Sequence, residues 1–151
     1  MNIQVSDKDS GYARLLTNVK GAQGAVKVGV SDIMHTKANM PCDELGKFHE
    51  FGLGVPQRSF LRGWVDENRE AIRRQLGFYT EMTLRGSMTW RAALTKFGEW
   101  AVAGIHARMR AHIPPPLAAS TVKRKGSDIP LIDTQELYNA IIFELHEKVG
   151  S

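Results

Sequence analysis

Residues 49–62 constrain this chain more than any other stretch, because His49-Glu50-Phe51-Gly52-Leu53-Gly54-Val55-Pro56-Gln57-Arg58-Ser59-Phe60-Leu61-Arg62 crowds turn formers, aromatics and charges together. Gly52 and Gly54 allow backbone angles that other residues avoid, while Pro56 fixes its own φ and pushes Val55 toward extended geometry. A sharp turn is required here whatever surrounds it. Phe51, Phe60 and Leu61 supply apolar anchors on either side of the turn, and Glu50, Arg58 and Arg62 are charges that need water or partners. The planar fork of Arg58 is suited to tie together several carbonyls or a carboxylate such as Glu50. These residue types fit a tight loop whose aromatics fill the core, and they also fit an assembly element shaped for docking.

At 151 residues, of which 42% are hydrophobic, the chain is sized for one core, and a single domain over residues 1–151 is expected. Its apolar runs are interrupted within a few residues, well short of the roughly 20 needed to cross a bilayer, so no membrane partner is expected. Residues 1–7 lack the basic start and apolar stretch of a secretory signal, which predicts synthesis in the cytosol. Cys42 is the one cysteine, so no intrachain disulfide can form.

The net charge of +4 hides a strong asymmetry. Residues 1–56 carry six Lys/Arg and six Asp/Glu; residues 57–127 carry thirteen and five, net +8; residues 128–151 carry one and five, net −4. No acidic residue lies between Trp100 and Ser127, where Arg108, Arg110, Lys123, Arg124 and Lys125 form a candidate basic patch. Such a patch suits an acidic partner or nucleic-acid phosphates, or a solvated face balanced by the acidic end of the same or a neighbouring subunit.

Hydrophobic periodicity predicts a helix over about residues 7–20, with Tyr12, Leu15, Leu16 and Val19 on one face and Ser6 and Asp9 near its start. Val26, Val28 and Val30 alternate with Lys27 and Gly29 as in a half-buried strand. Residues 31–41 have no clear period and read as a surface loop, and residues 43–51 as a short helix entering the turn. Two long helical patterns follow. The first carries Val65, Ile72, Leu76 and Tyr79. The second, with Ser87 as its cap, carries Leu94, Phe97, Ala101, Ile105 and Met109 and ends at Pro114, Pro115 and Pro116. A short helix over 117–125, a turn or helix through Leu137, and a closing strand around Ile141, Phe143 and Leu145 complete the reading. The closing strand is placed to pair with residues 25–30. The fold class is α+β: a small antiparallel sheet, a long helical hairpin and short additional helices.

Searching the sequence for chemistry gives negatives. No Gly-x-x-x-x-Gly-Lys-Ser/Thr phosphate loop and no Gly-x-Ser-x-Gly elbow occur. His35, Cys42 and His49 recur every seven residues, a spacing that matches no common metal motif and lacks a fourth ligand. His106 and His112 flank two arginines and suit exposed or interfacial roles. His49 and Glu50 are sequence neighbours and so face different sides of a helix or strand. No enzymatic activity, metal or cofactor is expected. Single-strand binders interleave aromatics with basic residues as stacking platforms, and residues 101–127 contain no Phe, Tyr or Trp. A basic nucleic-acid-binding module remains the alternative, with at most non-specific contact with DNA.

Two blocks of sequence resemble the tail-completion and neck proteins of tailed bacteriophages, a family of small virion morphogenesis proteins. The first block is the acidic-aromatic-Gly start at Glu50-Phe51-Gly52 followed by Pro56-Gln57-Arg58-Ser59-Phe60-Leu61. The second is Ile113-Pro114-Pro115-Pro116-Leu117, then Thr121, Arg124-Lys125-Gly126 and Pro130-Leu131-Ile132-Asp133-Thr134-Gln135-Glu136-Leu137. Ser59 stands where a second Pro is usual and Gln135 where Gly is usual. The resemblance implies a structural virion protein that completes the tail or joins tail to head. It also implies self-association in a ring, contacts with other neck and tail proteins, and a place in a virion assembled in the bacterial cytoplasm.

Overall fold

A computed structural model describes residues 11–21 and 24–146. The predicted capping residues Ser6 and Asp9 lie outside them. The chain is α+β, as the periodicity predicts. Its elements are α1 (Tyr12–Gly21), β1 (Ala25–Val30), β2 (Met34–His35), β3 (Met40–Pro41), α2 (Cys42–Phe51), α3 (Leu61–Glu67), α4 (Arg69–Leu84), α5 (Trp90–Arg110), α6 (Ala119–Lys125), α7 (Glu136–Asn139) and β4 (Ile141–His146).

The helix α5 organises the core. Leu94, Phe97, Ala101, Ile105 and Met109 are all buried, as a single 3.6-residue stripe requires. Strands β1 and β4 pair antiparallel, from Ala25 opposite His146 to Val30 opposite Ile141, and pack on α5. A Cβ at Gly98 would collide with the Phe143 ring and one at Gly104 with the Trp64 indole, so small residues on α5 let the sheet and α3 approach closely. Phe60, Trp64, Ile113, Leu131, Leu137 and Ile141 complete the cluster. At about 25 cal/mol per Å² of apolar surface removed from water, each of these large side chains stabilises the fold by roughly 1.5–3 kcal/mol before conformational entropy is charged.

Four boundaries differ from the sequence reading, each for a local reason. Residues 31–41 contain the two-residue hairpin β2–β3 in place of an irregular loop; strands that short have no readable period. The first long helical pattern is divided at Asn68, whose backbone leaves helical geometry and whose side-chain amide donates to the Trp64 carbonyl at 2.8 Å. Thr89, not Ser87, caps α5: its hydroxyl accepts from the Ala92 N–H at 3.1 Å, while the Ser87 N–H closes the end of α4 on Met82. Finally, α5 ends at Arg110 and not at the prolines, because His112 adopts a left-handed φ of 54° just beyond the Ala111 cap. Residues 113–118 are therefore a non-helical strap, bent at Pro114 and Pro115, that the prolines stiffen and do not initiate.

Candidate functional site

The turn at 49–62 is built around one carboxylate. Gly52, with φ 72°, ends α2 in left-handed geometry, and the chain doubles back so that the Arg58 N–H reaches the His49 carbonyl at 2.8 Å. Glu50, at 4% exposure, then receives the start of α3. Its Oε2 accepts from the N–H groups of Phe60 at 2.9 Å and Leu61 at 3.0 Å, and its Oε1 from the Arg62 N–H at 3.0 Å, the Ser59 hydroxyl at 2.6 Å and Arg62 Nε at 3.1 Å. The orphan donors of a helix N-terminus are thereby satisfied by a residue from the preceding helix. Burial pushes this carboxyl up, but the Ser59, Leu61 and Arg62 donors together outweigh it and hold Glu50 below the usual carboxylate range. The Ser59 hydroxyl has two roles here: besides donating to Glu50, it accepts from the Gly63 N–H at 3.0 Å.

Arg58 is equally buried, at 4% exposure, but it does not bind Glu50. Its Nε and Nη2 donate to the Pro115 carbonyl at 3.1 and 2.7 Å, and Nη1 reaches the Pro56 carbonyl at 3.5 Å. The arginine of the first sequence block thus fastens the proline strap of the second. The cation that pairs with the Glu50 carboxylate is Arg62, whose guanidinium also lies 4.5 Å from the centroid of the Phe51 ring.

The second block is pinned from the other side. Glu136 accepts from the Thr36 hydroxyl at 2.6 Å, the Thr36 N–H at 3.1 Å and the Thr134 hydroxyl at 2.8 Å, and Lys37 pairs with Asp133 at 2.6 Å. Gln135 has φ 64°, a left-handed conformation that glycine adopts without strain.

Between the two blocks lies a groove of about 620 Å³. Its floor and walls come from Leu45 and His49 of α2, Val55, Pro56 and Arg58 of the turn, Pro116 and Leu117 of the strap, Thr121, Arg124 and Lys125 of α6, Lys37 and Ala38 of the hairpin, and Pro130, Leu131, Asp133, Thr134, Gln135 and Leu137. His49 Nδ1 is buried there without a hydrogen-bond partner. Burial, with the Arg58 and Lys125 cations nearby, pushes this imidazole below its ordinary value, so it is neutral at neutral pH. On the outer side of the turn, Phe48, Phe51, Leu53 and Val55 are exposed, Phe51 and Leu53 by more than half.

The five residues of the basic patch do not form one surface. Arg108 turns inward: its Nε donates to the Ser59 carbonyl at 2.9 Å and its Nη1 pairs with Glu67. Arg110 donates to the Tyr138 hydroxyl at 2.6 Å, and Lys125 to the carbonyls of Ile129 and Pro130. Lys123 and Arg124 remain, with no side-chain partner among the described residues.

The histidines separate likewise. His35 bonds the Ala38 N–H and the Thr134 hydroxyl, His106 stacks on Tyr138, and His112 faces Asp128 at 3.1 Å. Among the described residues no cluster of three His, Cys, Asp or Glu side chains is arranged to hold a metal ion, and no helix is long and apolar enough to cross a membrane.

Sequence reasoning missed the groove's far wall, because Lys37 and Ala38 come from the hairpin read as a loop. It also missed Arg108 as a strut of the turn, since its partner Ser59 is 49 positions away. Comparison of the chain with protein-family models, with curated proteins and with solved structures found no match.

Proposed function

We propose that this protein is a structural component of a tailed-bacteriophage virion that completes the tail or joins tail to head at the neck, acting through assembly with no chemical step. The observation that carries this reading is the Arg58 to Pro115 linkage, which draws the two family-like blocks together as the walls of one groove. Beside it, the turn presents Phe48, Phe51, Leu53 and Val55 to solvent from a backbone held by Glu50. A rigid projection with exposed apolar side chains suits docking between subunits, because little conformational entropy is left to lose on binding. Self-association in a ring and contacts with neck and tail proteins follow from this reading.

The nucleic-acid alternative is weakened, since Arg108 already pairs with Glu67 within the chain and residues 101–127 offer no aromatic stacking platform. Weak, non-specific DNA binding is expected, fading near physiological salt with a slope of about 0.9 per phosphate contact. Deleting the gene from its phage and examining lysates by electron microscopy tests the assembly role. Separate heads and tails, converted to joined particles when the gene is restored, are expected. Normal infectious particles from the deletion would refute the role.

A further inference from the structure

We propose that the groove between the turn and α6 is a docking site for an extended acidic segment of a partner protein, whose carboxylate meets the cations of the groove while its apolar residues lie on Leu45, Val55, Leu117 and Leu131. The inference rests on the assembly reading only in taking the occupant to be a protein.

Three observations converge on it. The first is charge: Lys37 is neutralised by Asp133, but Arg58, Arg124 and Lys125 face the groove without a paired carboxylate among the described residues. Asp133 and Asp128 are the acids nearest Lys125, and they already pair with Lys37 and His112. A cation as buried as Arg58, held only by carbonyls, leaves electrostatic stabilisation unused that an arriving carboxylate would supply. The second is His49, a residue of the groove lining whose Nδ1 is buried without a hydrogen-bond partner, so the free protein leaves a polar group unmet beside the groove's cations. The third is size and lining: about 620 Å³ with apolar walls fits a few residues of an extended chain. Nucleic acid fits worse, since no Phe, Tyr or Trp lines the groove for base stacking.

The test is an array of eight-residue peptides in which Asp or Glu alternates with Leu and Val, beside Asn and Gln counterparts. It is probed with the full-length protein at about 150 mM salt, where weak surface electrostatics are screened. Arg124→Glu is the test variant, since that side chain is exposed, has no partner among the described residues, and its replacement is expected to leave the fold intact. Acidic peptides should bind and their amide counterparts should not. Arg124→Glu should weaken binding about tenfold, and the His49 imidazole nitrogen resonances should shift when peptide is added.

Equal binding of acidic and amide peptides, no retention of any peptide, or affinity indifferent to Arg124→Glu would overturn the proposal. So would displacement of bound peptide by duplex DNA. None of those results alters what the phage deletion reports, so the two readings fail separately.

Discussion

Glu50 and His49 are adjacent in sequence and stand in opposite conditions. The carboxylate accepts five hydrogen bonds, two from side chains and three from the backbone, and has no capacity left for a ligand. The imidazole, one residue earlier in α2, keeps a buried nitrogen unbonded and belongs to the lining of the open groove. A saturated polar group at the heart of a turn serves folding. An unsaturated one beside uncompensated cations costs stability in the free protein.

The largest effect should come from breaking the saturated side. Glu50→Ala strands the first N–H groups of α3, those of Phe60 and Leu61 among them, and should cost about 3–5 kcal/mol at roughly 1–3 kcal/mol for each buried donor left unmet. Urea unfolding of the purified variant measures it. A loss below about 1 kcal/mol, the size of one ordinary surface interaction, would mean that the turn is held by Phe60 and the glycines alone.

Next comes Arg108→Ala, which removes the strut between α5 and the Ser59 carbonyl. A loss of about 1–3 kcal/mol is expected for leaving that acceptor and Glu67 unmatched, again read from the unfolding midpoint. An unchanged midpoint would return Arg108 to the surface patch that the sequence suggests.

The pH dependence sharpens the same contrast. The Glu50 carboxyl titrates lower in the folded protein than its ordinary value of 4.5, so its contribution is fully present above that value and is lost as pH falls through the lower folded one. Asp43, Asp128, Asp133 and Glu136 are lowered as well, which makes the difference between wild type and Glu50→Gln the informative quantity. The gap in stability between the two proteins should narrow below about pH 4.5, where the unfolded carboxyl begins to protonate.

The smallest effect is expected on the unsaturated side. His49→Leu removes a buried donor or acceptor that nothing meets, so stability should change by less than about 1 kcal/mol and can rise. A loss comparable with that of Glu50→Ala would show that His49 is part of the frame.

How much of this was legible in the sequence depends on range. The stripe of α5 and the pairing of β1 with β4 follow from period and alternation, which are local, and both stand as read. The turn was legible as a turn from Gly52, Gly54 and Pro56. The Glu50 clamp was not, because the donors it satisfies open a helix ten or more positions later. The basic patch misled because continuity in sequence is not continuity in space: a helix turns Arg108 and Arg110 to different neighbours, and Lys125 folds back on its own loop. Gln135 and Ser59, set aside as departures from a pattern, mark a left-handed φ and a hydroxyl bridging Glu50 to the start of α3.

The most direct measurement of the assembly role is a cryo-electron-microscopy reconstruction of the intact particle. The account predicts copies of this chain at the junction of head and tail, with Phe51 and Leu53 in a subunit interface and an extended segment of a neighbouring subunit lying in the groove against His49 and Arg58. A particle without this chain, or one in which the turn and groove both face solvent, would contradict it.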